Sequence, residues 1–101
     1  MPAAYLVVES QITDAEAFKA YMAAAPAVAK AFGGEYLVRG GRMAVLEGNW
    51  QPPRLTVLRY PSFDQAKAMY DSPDYVKARS FRKGATACFN MVLVEGVEAP
   101  V

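Results

Sequence analysis

At 101 residues the chain is read as a single domain over 1–101, long enough for one modest core. Its formal charge is only +1, and acids and bases are interspersed; no basic stripe points to nucleic acid as a partner. Histidine is absent, which excludes histidine general-base triads, histidine-ligated haem and the commonest zinc and iron sites; neither a cofactor nor a metal is expected.

The first apolar run, AYLVV, predicts a strand over about Ala4 to Glu9. Thr13-Asp14-Ala15-Glu16 reads as a capping box opening a helix, with Thr13 as the cap. Phe18, Met22, Ala25, Ala29 and Phe32 follow at helical spacing, and Pro26 is expected to kink or split this helix near Met22 to Ala25. Gly33-Gly34 ends it. A second strand starts at Glu35, and Gly40-Gly41 interrupts it as a tight turn or a bend. Met43 to Glu47 is expected to continue extended, and the loop Gly48 to Pro53 returns the chain to a third strand, Arg54 to Tyr60.

Ser62 with Gln65 forms a second capping box, followed by the stripe Phe63, Ala66, Met69 and Tyr70. Asp71-Ser72-Pro73-Asp74 stops that helix and starts another. Ser72 is its cap and Pro73 its first residue, and it runs toward Gly84. The last strand is Thr86 to Glu95. The order βαββαβ implies an α+β, ferredoxin-like sandwich, a four-stranded antiparallel sheet with its helices on one face.

None of the four strand runs alternates cleanly, so both sheet faces carry apolar residues and need cover. Two helical segments cover one face. The other is expected to meet a second copy, making a homodimer through the sheet face. Hydrophobic residues at 53%, above the roughly 45–50% of ordinary globular chains, agree with that. The single cysteine, Cys88, forms no internal disulfide and reads as a small hydrophobe in a reducing compartment. The start MPAAYLVVES lacks signal-peptide character, and no apolar stretch approaches the ~20 residues of a membrane span. A cytoplasmic protein with no membrane partner is expected.

The phrases GGEYLVRGG, LEGNW and RLTVLRYPSFDQAKAMYDSPDY, together nearly the whole chain, resemble a family of small bacterial proteins known as domain of unknown function 1330. That family lies within the dimeric α/β-barrel superfamily. The resemblance implies two ferredoxin-like protomers packed sheet to sheet. The superfamily also holds cofactor-free monooxygenases, lactone isomerases and haem-handling enzymes, with pockets between sheet and helices. The histidines of its haem-binding members have no counterpart here.

Several residues carry candidate chemistry. Arg39, Glu47, Trp50, Arg54 and Arg59 surround the middle hairpin. They read as an anion-binding rim with Trp50 as a lid, or as cross-strand ion pairs, Glu47 with Arg54, with Trp50 as an interface anchor. Tyr60, Tyr70 and Tyr75 read as ligand-facing phenols or as packing between helix and sheet. Arg79 lies one turn after Tyr75, on the same helix face. Asn90 polarises a ligand carbonyl or bonds at the strand edge or across a dimer, and Glu9 is a base only if its face is the covered one. The candidate ligand-binding set is therefore Arg54, Tyr70, Tyr75, Arg79 and Asn90. Two functions fit: a homodimer binding a small organic molecule between helices and sheet, or a cofactor-independent oxygenase or isomerase acting on a small aromatic or carbonyl compound.

Overall fold

Four strands and three helices follow one another in a computed structural model that describes residues 2–98. They are β1 (Ala4–Ile12), α1 (Ala15–Ala31), β2 (Glu35–Arg39), β3 (Leu55–Tyr60), α2 (Phe63–Asp71), α3 (Pro73–Ser80) and β4 (Thr86–Glu95). The sheet order is β2-β3-β1-β4, and every neighbouring pair is antiparallel. This is the ferredoxin-like sandwich, with the second helical segment divided in two.

Local chemistry explains most boundaries. Asp14, rather than Thr13, caps α1: its backbone is extended and its carboxylate accepts the Ala17 amide at 3.0 Å. The α1 helix runs unbroken through Pro26. Burial of Phe18, Ala25 and Ala29 holds the helix together where an interior proline alone costs about 3 kcal/mol. Ser62 caps α2 through the Gln65 amide at 3.1 Å, and Ser72 caps α3 through the Tyr75 amide at 3.2 Å. Pro73 opens α3, where its missing N–H costs nothing.

Met43 to Glu47 forms no strand. The chain leaves the sheet after Arg39, runs exposed over residues 40–51, and rejoins the sheet at Leu55. An apolar run without a ladder partner is loop whatever its composition. No strand pairing therefore holds Glu47 beside Arg54. The ion pair across this part of the sheet is instead Arg59 with Glu35, at 3.1 Å and exposed.

The two sheet faces follow from register, because successive side chains point to opposite sides. Ala4, Leu6, Val8 and Ser10 of β1 share the helix-covered face with Thr56, Leu58 and Tyr60 of β3, all buried. Phe89, Met91 and Leu93 of β4 complete that face. The other face has no helix on it. Across it runs one continuous row, Val38–Val57–Val7–Val92, one valine from each strand. Val38 is 41% and Val92 60% exposed, so half of the row lies open at the sheet's two edges.

Candidate functional site

A cleft of about 50 Å³ opens between the inner sheet face and the helices. That is room for a few waters or one small flat group. Its walls are apolar: Leu6, Val8 and Leu58 from the sheet, Ala25 from α1 and Met69 from α2. Polar groups enter in three sets, one of them the buried Ser10 and Thr56 of the sheet. Four tyrosines, Tyr21, Tyr36, Tyr60 and Tyr75, line it from α1, β2, β3 and α3. Two arginines, Arg39 and Arg54, stand where β2 ends and β3 begins.

The tyrosines are not equivalent. Tyr21 and Tyr75 join hydroxyl to hydroxyl at 2.7 Å, tying α1 to α3. Tyr60 is completely buried, and its hydroxyl has no hydrogen-bond partner from the protein. A buried hydroxyl in that state costs about 1–3 kcal/mol, so its retention calls for an explanation. Burial is also the main force on the phenol protons. It raises the Tyr21 pKa well above the ordinary tyrosine value, helped by Tyr75 and opposed by Arg82. It raises Tyr60, with further upward pushes from Tyr36 and Tyr75, and it raises Tyr36 against the lowering pull of Arg39. Tyr21, Tyr36 and Tyr60 are therefore neutral across ordinary pH. Each keeps an O–H able to donate to a ligand acceptor, and none acts as a base.

Two glycines make this geometry possible. A methyl group on Gly34 would lie 2.6 Å from the Tyr60 ring, so only glycine lets the chain pass over that ring. At Gly40, φ is +69° and a methyl would meet Arg54 Nε at 2.8 Å. Glycine there both turns the chain out of β2 and lets the Arg54 side chain lie across it. Arg39 stacks over the Tyr36 ring at 4.5 Å. Arg82 stacks over Phe89 at 3.7 Å and over Tyr21 at 5.1 Å, and its buried Nε has no partner.

Of the five residues singled out from sequence, Arg54 and Tyr75 line the cleft. Tyr70 packs its ring on Tyr75 at 5.5 Å, outside the lining, and Arg79 stacks over Tyr70 at 4.5 Å rather than on Tyr75. Asn90 is exposed on the opposite sheet face. Register sets it against Glu9, and its amide donates to Glu9 Oε1 at 3.0 Å. The other oxygen of Glu9 accepts from Trp50 Nε1 at 3.1 Å. Glu9 is thus no base in the cleft, and Trp50 belongs to the open face rather than forming a lid. Tyr21, Tyr36 and Arg82 escaped sequence reasoning. Tyr21 sits three residues after Phe18, a spacing that places it on the buried side of α1. Among the described residues no group of three or more acidic or cysteine side chains gathers as a metal-ligand set.

The βαββαβ order and its antiparallel sheet define a ferredoxin-like fold. The chain belongs to the family catalogued as domain of unknown function 1330, which matches residues 3–97. Among solved structures it is similar to a protein of unknown function from Rhodopseudomonas palustris, with 18% identity over 96% of this chain and 84% of that one and a TM-score of 0.77. It is similar to a dimeric ferredoxin-like protein of unknown function from Bacteroides fragilis, with 13% identity, 93% and 96% coverage and a TM-score of 0.61. A protein from Caulobacter crescentus, provisionally named an antibiotic biosynthesis monooxygenase, shares 18% identity over 96% and 92% with a TM-score of 0.64. At these identities the likeness establishes the fold. No curated protein matches the chain. No helix among the described residues is long and apolar enough to cross a membrane.

Proposed function

We propose that the chain is a homodimeric small-molecule-binding protein whose ligand occupies the cleft between helices and sheet. One observation carries the reading: Tyr60 lines the cleft, and its hydroxyl is fully buried and bonds to nothing in the protein. A ligand oxygen placed there would satisfy it. Arg54 and Tyr75 contact the ligand; Tyr70 and Arg79 brace Tyr75 from behind through the stack described above. Asn90 acts on the other face, where it and Trp50 fix Glu9. The row of valines supports dimerisation through that uncovered face, and the Bacteroides fragilis and Thermobifida fusca neighbours are both described as dimeric.

A second reading is cofactor-independent oxygenation or isomerisation of a small aromatic or carbonyl compound. Neutral phenols and two arginines facing one cleft favour it, since such donors stabilise an enolate-like anion. No carboxylate or histidine lines the cleft to remove the proton. Simple binding therefore fits the residues better.

The test is a thermal-shift screen of small aromatic acids and carbonyl compounds, followed by co-crystallisation of those that shift. Ligand in the cleft, with the shift lost in Arg54→Ala and Tyr75→Phe, is the expected result. Shifts that survive both substitutions reject the site. Oxygen consumption or isomerised product with a bound compound would replace binding by the enzymatic reading.

A further inference from the structure

We propose that the cleft is selective for a small planar monoanion, an aromatic or enolised keto acid, whose carboxylate lies between Arg39 and Arg54 and whose apolar body runs inward toward Tyr60. This rests on the cleft being the ligand site and adds the charge and orientation of what it takes.

The charge comes from the lining. It contains two guanidinium groups and no acidic residue. Among the described residues no carboxylate lies within ion-pairing distance of Arg39 or Arg54. A guanidinium is a fork of donors shaped for a carboxylate's two oxygens. Here two forks flank one opening, because β2 ends in Arg39 and Arg54 directly precedes β3.

The orientation comes from where the polar groups stand. Arg39 is exposed and Arg54 half-buried, whereas Tyr60 is completely buried. Leu6, Val8, Leu58 and Met69 dominate the walls, and Ser10 and Thr56 add only neutral hydroxyls, so the arginines are the only lining groups that neutralise an anion. An anion therefore stays at the arginine end. The buried phenol is neutral, so it meets an acceptor oxygen rather than a second cation. The narrow space admits a flat body and rejects a bulky one.

The experiment is an amide-resolved NMR titration with benzoate, para-hydroxybenzoate and benzamide. Benzamide keeps the shape of benzoate and removes the charge. The expected result is perturbation of cleft residues such as Ala25, Leu58 and Tyr60, with both acids binding at least about tenfold more tightly than the amide. That preference should collapse in Arg39→Gln/Arg54→Gln, whose substitutions lie at accessible positions, and should shrink as salt is raised. Equal binding of acid and amide in the cleft overturns the anion assignment while leaving the cleft as the site. Perturbation confined elsewhere, or none with any of the probes, overturns both.

Discussion

Removing the Tyr60 hydroxyl should make the free protein more stable. Tyr60→Phe keeps the ring that fills the space under Gly34 and deletes only an oxygen with no partner in the protein. An unsatisfied buried hydroxyl costs about 1–3 kcal/mol, and the low end applies where the group borders a cleft. The expected gain is about 1 kcal/mol, or about 4–8 °C in Tm for a chain of this size. Urea unfolding followed by circular dichroism measures it, with the midpoint rising and the slope unchanged. Protomer concentration must be held fixed, because association adds to apparent stability. Tyr21→Phe is the control: it strips Tyr75 of its 2.7 Å partner and should cost about 1 kcal/mol. Opposite signs are the signature. A loss of 1 kcal/mol or more in Tyr60→Phe would mean that the hydroxyl has a structural bond, and the reasoning from an unsatisfied donor would fail. The stabilised variant should also bind acids less well, the usual exchange of stability for function.

Gly34→Ala drives a methyl into the Tyr60 ring and toward the Ala29 carbonyl, so it should destabilise by about 1–3 kcal/mol, whereas Gly41→Ala, with nothing nearby, should be near neutral in the same unfolding assay. Val92→Lys puts a charge at the open edge of the valine row; analytical ultracentrifugation should show a dimer becoming a folded monomer, and an unchanged dimer would move the interface elsewhere. Alkali should separate the tyrosines. Burial raises Tyr21, Tyr36 and Tyr60 above 10.0, so the unfolded chain releases those protons first, and stability that is complete below that pH declines as pH rises past it. Phenolate absorbance should then report Tyr21, Tyr36 and Tyr60 ionising late, together with unfolding; ionisation of these three near pH 10 in a folded chain would contradict their burial.

The order of elements could be read from the chain because its punctuation is local. Ser72-Pro73 starts a helix for reasons contained in two residues, and Thr86–Glu95 is bounded by glycines at 84 and 96. What failed was whatever depends on partners. Met43 to Glu47 has strand composition, and only the absence of a neighbouring strand makes it loop. The β1 strand runs to Ile12, past the apolar run, because Thr86 and Cys88 of β4 extend the ladder beside it. The candidate site was half legible for the same reason. Arg54 and Tyr75 could be guessed from residue type. Asn90 could not, since its side of the sheet is fixed by pairing with Glu9, a residue 81 positions away. Tyr21 was hidden in a helix stripe that composition alone reads as packing.

The β1 strand lies between β3 and β4, and Ala4 pairs directly with Glu95. The sheet therefore cannot be completed until β4 has been made. Until then Tyr5, Leu6, Val7 and Val8 can pair with β3 alone and lack the second of their two neighbours. Truncated products lacking β4 should be sticky rather than merely inactive.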